Sequence, residues 1–141
     1  MTVRQALALR LFHIDMRAAI LEVLLSTPAA PSVYGRLSVN GETLHAPHLL
    51  DLEILQVLRR YCANGDITPV RAEQAVADYL DLPITQYSHD VFAFRIWELR
   101  QNLTAYDGAY VALAEALSAP LITRDRKLAA TSGHRAIIEL V

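Results

Sequence analysis

Residues 104–125 decide the fold: Thr104-Ala105-Tyr106-Asp107-Gly108-Ala109-Tyr110-Val111-Ala112-Leu113-Ala114-Glu115-Ala116-Leu117-Ser118-Ala119-Pro120-Leu121-Ile122-Thr123-Arg124-Asp125. The Thr104-x-x-Asp107 spacing is that of a capping box, in which the Thr side chain accepts from the N–H three residues on. It opens a helix over Gly108 to Leu117. Pro120-Leu121-Ile122-Thr123 then reads as a strand that ends at Arg124-Asp125. A helix feeding a strand is half of an alternating α/β unit, and the same alternation continues outward on both sides.

Toward the N-terminus, Ser88 is placed to cap a helix over Val91 to Leu103, and Pro83 introduces a strand, Ile84 to Tyr87. Thr68-Pro69 is a cap-plus-proline start for a helix over Val70 to Tyr79. Pro47 sits well at the first position of another helix, whose apolar face of Leu49, Leu52, Ile54, Leu55 and Leu58 runs to about Cys62. Before it come a strand, Thr43 to Ala46, a turn at Asn40-Gly41 and a short helix over Ser32 to Leu37. Earlier still, Ala18, Leu21, Leu24 and Leu25 mark a helix over Arg17 to Ser26 that Thr27-Pro28 stops, and Leu9 to Ile14 suits a buried strand ending on Asp15. Toward the C-terminus, Ile137 to Val141 is a last strand. Strands alternating with helices predict one α/β domain over 1–141, with a mainly parallel central sheet flanked by helices and right-handed crossovers.

Composition agrees. The 141 residues are 53% hydrophobic and 20% charged, which is globular, and the chain shows no repeat, low-complexity segment or linker. Thirteen Lys+Arg, Lys127 being the one Lys, against fifteen Asp+Glu give a net charge of −2. Such a balance excludes binding nucleic acid by bulk charge alone and leaves a local basic groove open. Cys62 stands alone, so no intrachain disulfide is expected and a reducing compartment is the default. No uncharged apolar run approaches the roughly 18–20 residues of a membrane span. Arg10 and His13 interrupt the apolar N-terminal stretch, so it does not read as a signal peptide, and the expected location is cytoplasmic.

In open parallel sheets, ligands bind beyond the carboxyl ends of the strands. Asp15 and Asp125 each stand where a predicted strand has just ended, Asp107 lies in the first turn of a helix, and Glu53 lies mid-helix between Leu52 and Ile54. A mid-helix acid in apolar surroundings is costly to bury without a partner. Each acid has a plain structural reading: Asp107 a helix cap, Asp15 and Asp125 turn formers, Glu53 the partner of a buried Arg. Together they repel one another unless a cation holds them, and oxygen-only ligands suit Mg2+ or Mn2+. Such an ion activates water and stabilises the charge of an in-line displacement at phosphorus. Without these four acids, eleven others face thirteen cations, so the acidity is concentrated in the candidate pocket.

The order Asp15, Glu53, Asp107, Asp125, with Ala46-Pro47-His48-Leu49-Leu50-Asp51-Leu52-Glu53-Ile54, residues 106–114 and Leu121-Ile122-Thr123-Arg124-Asp125-Arg126-Lys127-Leu128, resembles the PIN-domain ribonucleases, in particular the VapC toxins of VapBC toxin–antitoxin modules. The resemblance runs from about Phe12 to Val141 and leaves residues 1–8 as an N-terminal extension. It implies a PIN-like three-layer fold and a metal-dependent endoribonuclease, the toxin of a type II toxin–antitoxin module, whose four acids bind Mg2+ or Mn2+. It further implies a homodimer, an RNA substrate and a VapB-like antitoxin whose C-terminal tail crosses the active-site groove. Asp15 and Asp107 are the first choices for direct metal ligands, with Glu53 and Asp125 completing the site directly or through water. Thr123 is either a hydrogen-bonding neighbour of that site or simply a β-branched strand residue, and Arg124, Arg126 and Lys127 either guide the RNA backbone or form a solvated loop. At the first strand the chain departs from the family: Arg17 stands where a small Ser is usual. The alternative function is therefore a catalytically impaired PIN-like module that still pairs with an antitoxin or RNA.

Other motifs carry less. His45-x-x-His48 has metal-like spacing but lacks a third ligand nearby. Tyr106, Tyr110 and Trp97 are candidates to stack on bases, while the helical spacing of the two tyrosines points to at least one core or interface residue. A haloacid-dehalogenase-type phosphatase needs an Asp where Arg17 stands, and a receiver domain needs a strand-end Lys that the late Lys127 does not supply.

Overall fold

The structure, a computed structural model, describes residues 8–12, 25 and 42–140. Asp15, Arg17, the helix expected over 17–26 apart from Leu25, the helix expected over 32–37 and the turn at 40–41 lie outside them. The elements are β1 (Ala8–Phe12), β2 (Glu42–Pro47), α1 (Leu49–Ala63), α2 (Pro69–Leu80), β3 (Ile84–Tyr87), α3 (Ala93–Glu98), α4 (Ala105–Leu117), β4 (Leu121–Thr123), α5 (Arg126–Ala130) and β5 (Ile138–Leu140).

The five described strands form one sheet in the order β3-β2-β1-β4-β5, and every pairing is parallel. The chain steps outward from β1 through β2 to β3, then crosses back to add β4 and β5 on the other side. With right-handed crossovers that reversal puts the two sets of helices on opposite faces. The buried residues divide accordingly. Leu50, Ile54, Val57 and Leu58 of α1 pack with Ala75 and Tyr79 of α2 and with Ile122, whereas Val111, Leu113 and Ala114 of α4 pack with Leu99, Leu128 and Leu121. Leu121 and Ile122 are neighbours on β4 and serve opposite layers, as the two-residue period of a strand requires. The expected α/β fold with helices on both sides of a parallel sheet is thus the observed one.

Three expectations are corrected locally. Pro47 does not begin a helix; it closes β2, paired with Tyr87 of β3, and α1 starts at Leu49. The helix expected over Val91 to Leu103 is a short α3 between two 3-10 turns, Asp90–Phe92 and Leu99–Gln101. Ser88 does not cap it: its hydroxyl bonds to Asp90, whose own carboxylate takes the Val91 N–H, and these local bonds compete with a regular first turn. At the far end, Arg100 donates to the Trp97 carbonyl at 3.0 Å and satisfies an acceptor that a continuing helix would have used. Finally, the residues after Asp125 form the helix α5 rather than a loop. Among the described residues no helix is long and apolar enough to cross a membrane.

Candidate active site

A parallel strand delivers the chain to the carboxyl edge of the sheet, where α1 starts after β2 and α5 after β4, and α4, which runs back to the start of β4, begins toward the same edge. Glu53 lies just past the first turn of α1, Asp107 lies in the first turn of α4, and Asp125 is the N-cap of α5. All three therefore belong to the same edge of the sheet. The strand order reverses between β1 and β4, and the crevice beside such a reversal is where α/β sheets receive ligands. Asp125 follows one of these strands. Asp15 follows the other by three residues and lies outside the described ones.

Glu53 is buried, with 9% of its surface exposed, and the Tyr110 hydroxyl donates to its Oε2 at 2.6 Å. Tyr110 is wholly buried in α4, so this bond ties the helical layer of α1 to that of α4. Asp107 precedes Tyr110 by three residues and shares its side of α4. Thr104 accepts from the Asp107 N–H at 3.2 Å, the expected capping contact, which leaves the Asp107 carboxylate out of that bond. On the other flank, Thr123 is fully buried and its Oγ1 accepts from the Asp125 N–H at 2.9 Å. Asp125 Oδ1 in turn accepts from Lys127 N at 2.8 Å and Leu128 N at 3.3 Å. The Asp125 carboxylate is held by the helix it starts, and Arg124, Arg126 and Lys127 stand exposed around it.

The donors are hard oxygens, the kind that Mg2+ and Mn2+ take. Among the described residues no three of His, Cys, Asp and Glu form a group able to hold a metal. Glu53, Asp107 and Asp125 offer oxygens of the kind such an ion takes but do not by themselves make such a group.

The remaining motifs resolve differently. Both ring nitrogens of His45 are engaged, Nδ1 with the Tyr87 hydroxyl at 2.7 Å and Nε2 with Thr43 Oγ1 at 2.8 Å, and burial lowers its pKa below the ordinary 6.5. His45-x-x-His48 is therefore not arranged as a metal pair. Tyr106 and Trp97 are each 66% exposed and line an apolar groove of about 490 Å3 with Leu49, Ile96 and Arg100, whose guanidinium lies 4.6 Å from the Trp97 ring centre. Tyr110 belongs to the core instead. Its contact with Glu53 joins residues 57 apart, and its one signal in the sequence is the demand of a mid-helix acid for a buried donor.

The fold is a parallel α/β domain with Glu53, Asp107 and Asp125 carried by elements that start at the carboxyl edge of its sheet. Within that class the assignment is specific, because the PIN domain family matches residues 18–133. The chain belongs to the PIN-domain family, in its VapC branch. It is 42% identical over 128 residues to Ribonuclease VapC12 of Mycobacterium tuberculosis (strain ATCC 25618 / H37Rv), covering 91% of this chain and 97% of that one. Ribonuclease VapC9 of the same strain is 40% identical over 106 residues, covering 75% of this chain and 84% of that one. Among solved structures, VapBC2 from Rickettsia felis bound to a DNA fragment from its promoter has a TM-score of 0.71 at 13% identity, covering 94% of this chain and 98% of that one. PAE2754 from Pyrobaculum aerophilum has a TM-score of 0.68 at 18% identity, covering 94% and 90%. At these identities the two structures speak for the fold alone.

Proposed function

We propose that this chain is a metal-dependent endoribonuclease that hydrolyses RNA phosphodiester bonds as the toxin of a type II toxin–antitoxin module. The observation that carries the reading is the arrival of Glu53, Asp107 and Asp125 at one carboxyl edge in a chain 42% identical to Ribonuclease VapC12. Asp107 and Asp15 hold Mg2+ or Mn2+ directly, and Glu53 and Asp125 complete its shell directly or through water. An ion held there would supply an activated water and stabilise the charge that develops on the phosphate. The protein supplies the rest. Glu53 is fixed by Tyr110, and Asp125 is fixed by the N–H groups of α5. Arg124, Arg126 and Lys127, exposed beside Asp125, offer charge-assisted contacts to the RNA backbone. Thr123 sets the turn that presents Asp125.

The partners in this reading are RNA, a VapB-like antitoxin and a second copy of the chain in a homodimer, and the setting is the cytoplasm. The test is RNA cleavage by the purified chain with and without Mg2+, repeated with Asp107→Asn. Loss of the Mg2+-stimulated cleavage with an unchanged melting temperature is expected. Cleavage at the wild-type rate by that variant would sink the reading. Antitoxin or RNA binding by a wild-type chain that never cuts would instead favour the impaired module that Arg17 raises.

A further inference from the structure

Tyr110 touches neither the RNA nor the ion in the reading above, yet it is the largest fully buried side chain described and its hydroxyl bonds a candidate ligand. We propose that Tyr110 is a positioning residue for the metal site, holding the Glu53 carboxylate in the orientation in which it meets the ion. The proposal rests on the metal-site reading given under Proposed function.

Three observations carry it. First, the Tyr110 hydroxyl donates to Glu53 Oε2 at 2.6 Å, the length of a charge-assisted O–H···O bond. A carboxylate on a free side chain samples several rotamers; one oxygen held at this distance pins the plane of the group. Second, the anchor is rigid. Tyr110 is fully buried among Val111, Leu113 and Leu121, so its ring cannot follow a wandering Glu53. Third, Tyr110 and Asp107 are three residues apart on α4, so one helix carries both a candidate ligand and the group that orients another. Any rotation of α4 moves both together. Glu53 comes from α1, 57 residues away in sequence and in the opposite helical layer, and the bond fixes the two layers at the sheet edge where the site must form. Outer partners of metal-bound groups characteristically change affinity by about 10- to 100-fold when removed.

The experiment is a Mn2+ titration followed by electron paramagnetic resonance, run well below the melting temperature on the wild type, Tyr110→Phe, Glu53→Gln and the double variant. Tyr110→Phe keeps the ring and deletes only the hydroxyl. We expect it to weaken Mn2+ binding by about tenfold. Because Tyr110 acts through Glu53, the same change in the Glu53→Gln background should add nothing further. Unchanged affinity in Tyr110→Phe overturns the proposal, and so does an equal additional loss in the double variant, which is what a merely structural role produces. Failure of the underlying reading looks different: wild type and Glu53→Gln then bind Mn2+ equally weakly. Should Tyr110→Phe not fold, the wild type labelled at the tyrosine Cζ with 13C decides the matter by nuclear magnetic resonance. The Tyr110 signal should move with Mg2+ at the concentration that saturates binding, and an unmoved signal overturns the proposal.

Discussion

Asp125 answers to two demands at once. As the N-cap of α5 its Oδ1 accepts from the N–H groups of Lys127 and Leu128, and as the first acid beyond β4 it stands at the candidate metal site. The two roles separate by substitution. Asn caps a helix about as well as Asp but carries no charge, whereas Ala does neither. Asp125→Asn should therefore abolish Mg2+-stimulated RNA cleavage while leaving the melting temperature close to wild type. Asp125→Ala should abolish cleavage and cost about 1 kcal/mol of stability besides. Denaturant unfolding and an RNA cleavage assay on the two variants check this; cleavage by Asp125→Asn would confine Asp125 to capping. The position of Asp125 was readable in the sequence because an acid after a short apolar run is a local signal. Its capping role was not, because Arg126-Lys127-Leu128-Ala129-Ala130 is too short and too charged to show helical periodicity. Tyr110 was hidden for the opposite reason: at helical spacing a buried tyrosine looks like any core residue, and its partner lies 57 residues away.

At the scale of elements, Glu115 fastens α4 to α3 and to the segment before β5. Arg95 of α3 grips it with Nε at 2.7 Å and Nη2 at 3.0 Å, and the Arg135 N–H donates at 2.7 Å from the segment leading to β5. The Glu115 side chain is only 4% exposed, while that of Arg95 is 27% exposed, so the pair is partly screened. Glu115→Gln keeps the shape and removes the charge. Allowing for that exposure, a loss of about 2–3 kcal/mol is expected, below the range for fully buried pairs. For a chain of this size that is a fall of roughly 4–12 °C in melting temperature. A fall of less than a degree would show that packing alone holds α3 on α4. These ties also explain which elements were legible. The helix starts at Thr68 and Thr104 and the strand Ile84–Tyr87 were readable because caps, prolines and apolar periodicity lie within a few residues. Breakage of the 90–101 region depends on Arg100 reaching Trp97 and on Ser88 bonding to Asp90, which no periodicity encodes.

For the molecule as a whole, the order β3-β2-β1-β4-β5 brings the elements that carry Glu53, Asp107 and Asp125 to one edge of the sheet. The same sheet sets how the domain responds to acid. His45 sits in β2, buried, and its ring bonds Tyr87 of β3 through Nδ1 and Thr43 through Nε2. Burial lowers its pKa below the 6.5 of a free histidine, so between 6.5 and the lower folded value the unfolded chain binds more protons than the folded one. Stability must therefore fall as the pH drops through that window, by about 1.4 kcal/mol for each pH unit of the depression. Glu115 contributes a second, more acidic decline. Its burial favours the neutral form, but the bonds from Arg95 and Arg135 outweigh this and hold its pKa below 4.5. Its contribution is complete above 4.5 and is lost as pH falls through the lowered value. Melting temperature measured across this range should show two limbs, the first beginning near 6.5. His45→Gln, which retains hydrogen-bonding capacity but does not titrate, should erase the first limb and leave the second. Glu115→Gln should do the reverse. A wild-type profile flat down to pH 4.5, or a first limb that survives His45→Gln, would place the acid response elsewhere in the fold.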